Sequence, residues 1–252
     1  MLVDVHAHLD YSKFDSDRDE VVGRAKAAGV LTITSALGPE GIGKTLLLLE
    51  RYDELKATFG LAPTELASDV IAETRRLIRE HRKSIVGLGE VGLDYYWVKE
   101  LNRREEERVN FKSFIELAQE LHLPLVIHSR DAEEDVLRIL EENGVRALLH
   151  CFSGSVESAL DAASFGHLIS IPTSVVHSSG KQRLAKALPI ESMVLETDAP
   201  YLSPQPKTRN EPANITVSCE KIAQLKGIMP DVVASATSQN AVKFFDLKSS
   251  KT

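Results

Sequence analysis

Short apolar runs alternate with amphipathic stretches along the chain, and this alternation is the feature that most limits its possible folds. Several of the intervening stretches begin at Ser, Thr, Asp or Asn and end at Gly, which are helix start and stop signals. We predict eight β-strands, at residues 2–8, 31–37, 57–63, 85–92, 124–129, 146–152, 168–174 and 193–199. Strands that alternate with helices indicate a parallel sheet, and eight such units in about 250 residues are typical of a (β/α)8 TIM barrel. We therefore predict a single barrel domain over residues 1–252, with an open doubly wound sheet as the alternative.

Four histidines and two acids fall at the carboxyl ends of predicted strands. They are His6 and His8 on the first strand, Glu90 on the fourth, His128 on the fifth, His150 on the sixth and Asp198 on the eighth. In a barrel these ends meet at one mouth, where active sites are built. Imidazole and carboxylate bind divalent cations, and six such ligands are more than one catalytic zinc takes. The pattern therefore predicts a hydrolytic centre with two divalent ions, which could be Mg2+, Mn2+ or Zn2+.

Charge and cysteine content restrict the partners and the compartment. The formal net charge is −7, so the chain lacks the excess of Lys and Arg on which non-specific nucleic-acid binding depends. A nucleic acid held locally at a metal site is compatible with this charge. Cys151 and Cys219 form no CxxC pair, which favours a reducing cytoplasm. The sequence indicates neither a signal peptide nor an apolar run of ~18 residues, so we expect no membrane association. Nothing in it indicates an obligatory protein partner.

Residues 38–45, GPEGIGKT, match the pattern G-x-x-x-x-G-K-[ST] of nucleotide-binding P-loops. An apolar run precedes the match and a helical stretch follows it, as the motif requires. A P-loop protein also needs a Mg-binding Asp at the end of a strand. Asp198 could fill that role, but the metal cluster explains it better and also accounts for the histidines. We therefore interpret these residues as the loop after the second strand, opening a helix near Thr45, and expect Lys44 on the active-site side.

Seven ordered blocks of the sequence resemble the TatD family of metal-dependent deoxyribonucleases, which are amidohydrolase-like barrels. The blocks run from residue 4 to residue 245 and read DVHAHLD, GEVGLDYYW, LPLVIHSRDAEED, HCFSGS, ETDAPYLSP, RNEPANI and TSQNAVKFF. The resemblance implies hydrolysis of DNA phosphodiester bonds, and the better-known members act as 3′→5′ exonucleases. It also implies that one ion is held by His6, His8, Glu90 and Asp198, and the second by Glu90, His128 and His150, with Glu90 bridging.

Asp198 and Glu90 are the predicted catalytic residues. Asp198 is the candidate general base, which takes a proton from the attacking water; the alternative is that it serves only as a ligand. Asp4 and Asp94 share strand faces with the ligands and are expected either to orient them or to cap the strand ends.

Other polar and aromatic residues near the expected mouth are candidate substrate contacts. Arg130, Lys207 and Arg209 are expected to bind DNA phosphates, and Ser153 to do so through its hydroxyl. Tyr95, Tyr96 and Trp97 follow the fourth strand, where they either stack on bases or pack at the rim. Asn210 and Glu211 are expected to fix the Pro-rich loop near the metals. The net negative charge of the chain favours single-stranded DNA or 3′ ends as the substrate.

One stretch departs from the family pattern. Members often carry G-x-H-P-H after the third strand, whereas this chain has GLAPTE, with Ala62 and Thr64 at the histidine positions. No metal ligand is lost by this change, but substrate preference is open. Two alternatives keep the barrel: a binuclear amidohydrolase, esterase or phosphotriesterase acting on a small molecule, and a binding scaffold with a structural metal. Related small-molecule hydrolases often have a carboxylated lysine where Glu90 stands, which favours the nuclease.

Overall fold

The computed structural model describes residues 1–247, and its eight parallel strands close into a barrel in chain order. The strands are β1 (Leu2–Ala7), β2 (Val30–Leu37), β3 (Leu55–Gly60), β4 (Gly87–Asp94), β5 (Leu125–Arg130), β6 (Ala147–Leu149), β7 (Leu168–Pro172) and β8 (Met193–Glu196). Each begins within two residues of a predicted start, although β3, β6 and β8 end three residues earlier than expected. The prediction of a (β/α)8 TIM barrel is confirmed, and the doubly wound alternative is wrong.

Helices cover the outside of the barrel. Within residues 1–247 the α-helices are α1 (Arg18–Ala27), α2 (Gly38–Arg51), α3 (Ser68–Glu80), α4 (Leu101–Leu121), α5 (Glu133–Glu142), α6 (Val156–Ser164), α7 (Ser179–Ala187), α8 (Ile215–Lys226) and α9 (Pro230–Phe244). Short 3-10 turns occur at Ser12–Phe14, Arg82–Ser84, Thr173–Val176, Ile190–Ser192 and Pro212–Asn214. None of these helices combines the length and the apolarity needed to cross a membrane.

The strands are largely buried because both faces of the sheet are covered. All eight residues of β4 are buried, for example. One buried cluster contains residues from β1, β2, β5, β6 and β8, including Val5, Ile33, Val126 and Leu148. Strands on opposite sides of the barrel meet in this cluster, so side chains fill the barrel interior below the mouth.

The GPEGIGKT segment is helical, which corrects its interpretation as a loop. Helix α2 begins at Gly38, so residues 38–45 form its first two turns. Gly38 has a φ of 68°, and Pro39 suits the first helical turn because its missing N–H has no partner there in any case. Lys44 is exposed and pairs with Glu40 one turn earlier, at 2.6 Å. A helix over these residues leaves no loop to cradle a phosphate.

A narrow seam between β1 and β8 closes the barrel. The strand register joins them at one position, Asp4 opposite Leu195, with a further bridge between Ala7 and Ala199. The buried carboxyl group of Asp4 reinforces this seam. It accepts hydrogen bonds from the Thr197 backbone N–H at 2.9 Å and hydroxyl at 2.6 Å. Asp4 therefore fastens the seam rather than orienting an imidazole ring.

Replacing Asp4 by Ala is expected to lower the free energy of unfolding by about 3 kcal/mol, because it leaves the buried donors of Thr197 unpaired. Urea denaturation in EDTA measures this effect without any contribution from bound metal. Asp4→Asn, which keeps one acceptor oxygen, should lose less. An Ala variant with the wild-type unfolding midpoint and slope would contradict the role of Asp4 at the seam.

Candidate metal centre

The six predicted ligands lie together at the carboxyl-terminal mouth of the barrel. His6 and Glu90 lie within β1 and β4, and His128 lies within β5. His8 and His150 each follow a strand directly, and Asp198 comes two residues after β8. The parallel order of the strands brings these distant positions to one place.

Two compact groups of donor atoms share His6. One contains His6, Glu90 and His150, and the other contains His6, His8 and Asp198; the donor atoms of each group lie within 4.8 Å of one another. His6 Nε2 lies 2.8 Å from Glu90 Oε2 and 3.2 Å from His8 Nε2. His8 Nε2 in turn lies 3.5 Å from Asp198 Oδ1. Such convergence of imidazole nitrogens and carboxylate oxygens is typical of a divalent cation site.

Glu90 is the central carboxylate of the cluster. His150 Nε2 lies 3.6 Å from Glu90 Oε2, and the His150 ring stacks on His6 with a centroid separation of 3.9 Å. On the other side, His128 Nδ1 lies 3.6 Å from Glu90 Oε1. His128 is half-buried and lies outside the two compact groups. The two oxygens of Glu90 thus face different histidines.

Hydrogen bonds on the far side of three imidazole rings fix their orientation. The Nδ1 atom of His8 lies 2.9 Å from the Ser35 carbonyl oxygen, and that of His150 lies 3.1 Å from Glu196 Oε2. For His128 the partner is Asp94 Oδ2, 3.0 Å from Nε2. Such partners hold a ring so that its other nitrogen faces the site, and they raise its basicity as a ligand.

Ser35 and Glu196 were missed by sequence reasoning. A period-two signal for Glu196 was available, because it lies two residues before Asp198 in the block ETD. Ser35 contributes its backbone carbonyl to His8, which no side-chain motif can reveal. Its hydroxyl also contacts the Glu90 backbone N–H at 3.1 Å, so β2 supports two of the predicted ligands.

The charged groups of the ligand cluster shift one another's pKa values. Burial disfavours a charge on Glu90, but the close approach of His6 and the charge of His150 hold the pKa of Glu90 well below its usual range. Burial also disfavours the imidazolium of His150, yet the carboxylates of Glu196 and Glu90 raise the pKa of His150 to about 10. The site therefore keeps its carboxylates ionised and attracts positive charge, which protons or metal ions can supply.

The residues present fit a metal. Oε2 of Glu90, which faces the histidines of the cluster, is buried without a well-aligned hydrogen-bond donor. The donor set is mixed imidazole and carboxylate, which suits Zn2+ or Mn2+ and, through the carboxylates, Mg2+.

The segment GLAPTE, which departs from the family pattern, begins at the end of β3, where Leu61 N–H donates to the Glu90 carbonyl at 3.0 Å. This segment therefore begins next to Glu90, and its residues Ala62 and Thr64 supply no imidazole.

The backbone is unusual at two points of the site. Asp198 has a φ of 53° and Cys151, directly after His150, has a φ of 45°. Non-glycine residues adopt this left-handed region at an energetic cost, and strained residues of this kind cluster at functional sites. Hydrogen bonds hold both in place, from Asp198 N–H to the His6 carbonyl at 2.9 Å and from Cys151 N–H to Ser170 Oγ at 2.8 Å.

The candidate substrate contacts differ in whether their polar groups are exposed or already paired within the protein. Arg130 and Ser153 are exposed near the mouth, and the Ser153 hydroxyl donates to the Cys151 carbonyl at 3.1 Å. Lys207 is exposed and lines a cavity of about 610 Å³ under the Pro-rich loop. The guanidinium of Arg209 lines the same cavity but is paired with Asp17, at 2.7 Å. Arg209 therefore anchors the loop to the segment before α1, and its donors are less available to a phosphate.

Asn210 supports the loop that carries Asp198. Its side-chain amide is buried and donates to the Thr197 carbonyl at 2.8 Å and to the Thr173 hydroxyl at 2.8 Å. Glu211 instead pairs with Arg24 on α1, at 2.6 Å. The two residues thus fix opposite sides of the Pro-rich segment, one next to the ligand cluster and one on the outer helix layer.

Known proteins resemble this chain over nearly all of its length. A family profile described as TatD related DNase matches residues 3–246. An uncharacterized metal-dependent hydrolase from Methanocaldococcus jannaschii is 37% identical over 245 residues, which cover 96% of each protein. The human deoxyribonuclease TATDN3 is 37% identical over 258 residues, covering 97% of this chain and 94% of the human protein. Among solved structures, the TatD homologue YJJV of Escherichia coli K12 has a TM-score of 0.89 at 25% identity, over 98% of both chains.

These similarities agree with the barrel and with the ligand cluster at its mouth. The family profile and the relatives both extend from the first strand to the last helix, so the site lies wholly inside the matched region. The chain belongs to the TatD-related DNase family and is a metal-dependent hydrolase.

Proposed function

We propose that the protein hydrolyses DNA phosphodiester bonds with two divalent ions, as a 3′→5′ exonuclease. The observation that carries this proposal is the convergence of six donor side chains at the mouth, with Glu90 between two groups of histidines. His6, His8, Glu90 and Asp198 would hold one ion, and Glu90, His128 and His150 would hold the other. Mg2+, Mn2+ and Zn2+ all suit this donor set.

When bound, a pair of divalent ions lowers the pKa of water and neutralises phosphate charge. The chain itself supplies the remaining chemistry. Asp198 is the proposed general base, because its half-buried carboxylate lies at the mouth and His8 holds its pKa below the usual range, although burial acts in the opposite direction. It is therefore ionised at neutral pH and able to accept the proton of the attacking water. Glu90 positions the two halves of the ligand cluster.

DNA is the proposed substrate because the family is described as TatD related DNase and the human relative is named a deoxyribonuclease. Exposed Arg130, Ser153 and Lys207 are the proposed phosphate contacts, while Arg209 anchors the Pro-rich loop through its ion pair with Asp17. The net charge of −7 favours single strands or 3′ ends held locally over long duplex DNA. We propose a reducing cytoplasm as the compartment, given the free thiols of Cys151 and Cys219.

Digestion of a 5′-labelled single-stranded oligomer with Mg2+ or Mn2+ tests the proposal, with EDTA lanes as the control. The expected result is a ladder that shortens from the 3′ end and disappears in EDTA. Elemental analysis of the same protein should give about two metal ions per chain, lost in His6→Ala. Intact DNA from a protein loaded with two ions would overturn the nuclease and leave the metal centre for other ester or amide substrates.

A further inference from the structure

We propose that Tyr96, Trp97 and Arg130 form a platform on which a base of single-stranded DNA stacks beside the metal centre. We call these three residues the platform. The inference deepens the proposed nuclease function and rests on it for the identity of the substrate. It assigns a binding site to side chains that the ligand cluster does not use.

The platform presents flat, exposed groups to solvent. Trp97 is 66% exposed and Tyr96 is 43% exposed. The guanidinium carbon of Arg130 lies 3.7 Å from the centroid of the Tyr96 ring, and the Trp97 ring meets Tyr96 edge to face at 4.9 Å and 87°. One face of Arg130 is therefore covered by Tyr96, and the Arg130 guanidinium also lies 5.9 Å from the centroid of the Trp97 ring. Trp97 nevertheless keeps most of its surface exposed and available to a ligand.

The backbone beneath the platform is firmly held. The Trp97 N–H donates to Asp94 Oδ1 at 3.1 Å, and the Tyr95 N–H donates to the Arg130 carbonyl at 2.9 Å. Lys99 Nζ donates to the Tyr95 carbonyl at 2.9 Å. A surface fixed before binding loses little conformational entropy when a ligand arrives, so these exposed rings are suited to recognition.

One carboxylate connects the platform to the metal centre. Asp94 accepts from Trp97 through Oδ1 and contacts His128 Nε2 through Oδ2, at 3.0 Å. Arg130 lies two residues after His128 on the same strand, β5. A phosphate at the metal centre therefore has the platform next to it, on the β4–β5 side of the mouth.

The chemistry of the platform favours a nucleic-acid strand over a protein partner. Bases stack on aromatic rings and on arginine planes whatever their sequence, and arginine also attracts the neighbouring phosphate. A stable protein interface needs on the order of 1,200 Å² or more, whereas the platform consists of three side chains flanked by the charged residues Lys99 and Glu100. A single stacked base matches this small area.

Trp97 is the only tryptophan of the chain, so its fluorescence reports stacking directly. Titration with an oligothymidylate in EDTA, where the strand stays intact, should quench the emission with saturation. An oligomer of the same length with abasic sites, which keeps the phosphates and lacks the bases, should not quench it. Equal quenching by both oligomers, or quenching by neither, would overturn the base-stacking platform.

Kinetics of Trp97→Ala give the second test. The KM for the oligomer should rise about tenfold with kcat close to the wild-type value, since losing one stacked base costs about this factor in affinity. Phe165→Ala is the matched control, because Phe165 is also an exposed aromatic, at 56%, but follows α6 at the opposite end of the barrel. An oligomer KM that is the same in Trp97→Ala and in the control would contradict the proposal.

The two tests separate failure of the platform from failure of the nuclease. Bis(p-nitrophenyl) phosphate has a phosphodiester bond and no base, so the ratio of oligomer to diester efficiency isolates the contribution of stacking. Saturable quenching without any cleavage of DNA would keep the platform and reject the nuclease. Cleavage of DNA without quenching, and with a wild-type ratio in Trp97→Ala, would keep the nuclease and reject the platform.

Discussion

The Asp198→Asn variant is expected to cleave single-stranded DNA about 10³-fold more slowly than the wild type, as befits the loss of a general base. Asparagine has nearly the same shape and keeps one oxygen that can face His8 Nε2, now 3.5 Å from Asp198 Oδ1. It cannot accept the proton of the attacking water. Single-turnover rates at saturating Mn2+, combined with the metal content of the same sample, measure this effect.

The metal titration separates a proton acceptor from a simple ligand. If Asp198 only holds an ion, a higher Mn2+ concentration will restore the rate of Asp198→Asn. If it accepts the proton, the rate stays low at full occupancy. Asp94→Asn is the matched control, because it loosens the orientation of His128 without removing a ligand, and a loss of about 10- to 100-fold is expected. A fully loaded Asp198→Asn enzyme within threefold of the wild-type rate would reject the general-base role.

Gly92→Ala is expected to have the largest effect on stability, of about 4 kcal/mol or more. Gly92 pairs with His128 between β4 and β5, and its φ is 150°. A methyl group on Gly92 would lie 2.0 Å from the His128 carbonyl oxygen, a distance that the two strands can relieve only by separating. Urea denaturation should therefore show a large fall in the unfolding midpoint, or the variant should not accumulate as folded protein.

Gly43→Ala provides the control for adding the same methyl group elsewhere. Gly43 is exposed in α2, and an added Cβ would meet no atom within 4 Å. Alanine has the higher helix propensity, so this variant should gain about 0.5–1 kcal/mol. Gly43→Ala also tests the conformation of the GPEGIGKT segment. A gain in stability is expected if the segment is an ordinary helix, and is not expected if it is a phosphate-binding loop. A Gly92→Ala protein as stable as Gly43→Ala would contradict the close approach of β4 and β5.

The barrel was predictable because its signal is spread over the whole chain. Each buried parallel strand must be largely apolar and each covering helix amphipathic, so eight repeats leave little choice of fold. The ligand positions followed from the same reasoning. A single histidine such as His150 does not indicate a metal site, but its position at a strand end predicts that it lies close to Glu90. The carboxyl ends of parallel strands converge whatever the details of packing.

The supporting contacts were not predictable, for physical reasons. Ser35 acts through its backbone carbonyl, which every residue has. Arg209 looks like a phosphate contact in sequence, yet its partner Asp17 is 192 positions away and is revealed only by the fold. The start of α2 was misplaced because Gly38 and Pro39 suit both a turn and a first helical turn. Local sequence patterns therefore predicted the helices, the strands and the ligand residues of the site. Ion pairs between residues far apart in sequence, which the patterns do not show, determine which charged side chains are available to a substrate.

The seam between β1 and β8 also governs when the protein can mature during synthesis. Asp4 meets its partner Thr197, and His6 and His8 meet Asp198, only after almost the entire barrel has left the ribosome. Until then the nascent sheet has two open edges, which are templates for pairing with other chains. Such contacts between distant parts of the sequence also slow folding. Chains that stop before residue 193 lack β8 and Asp198, so we expect them to be aggregation-prone and inactive.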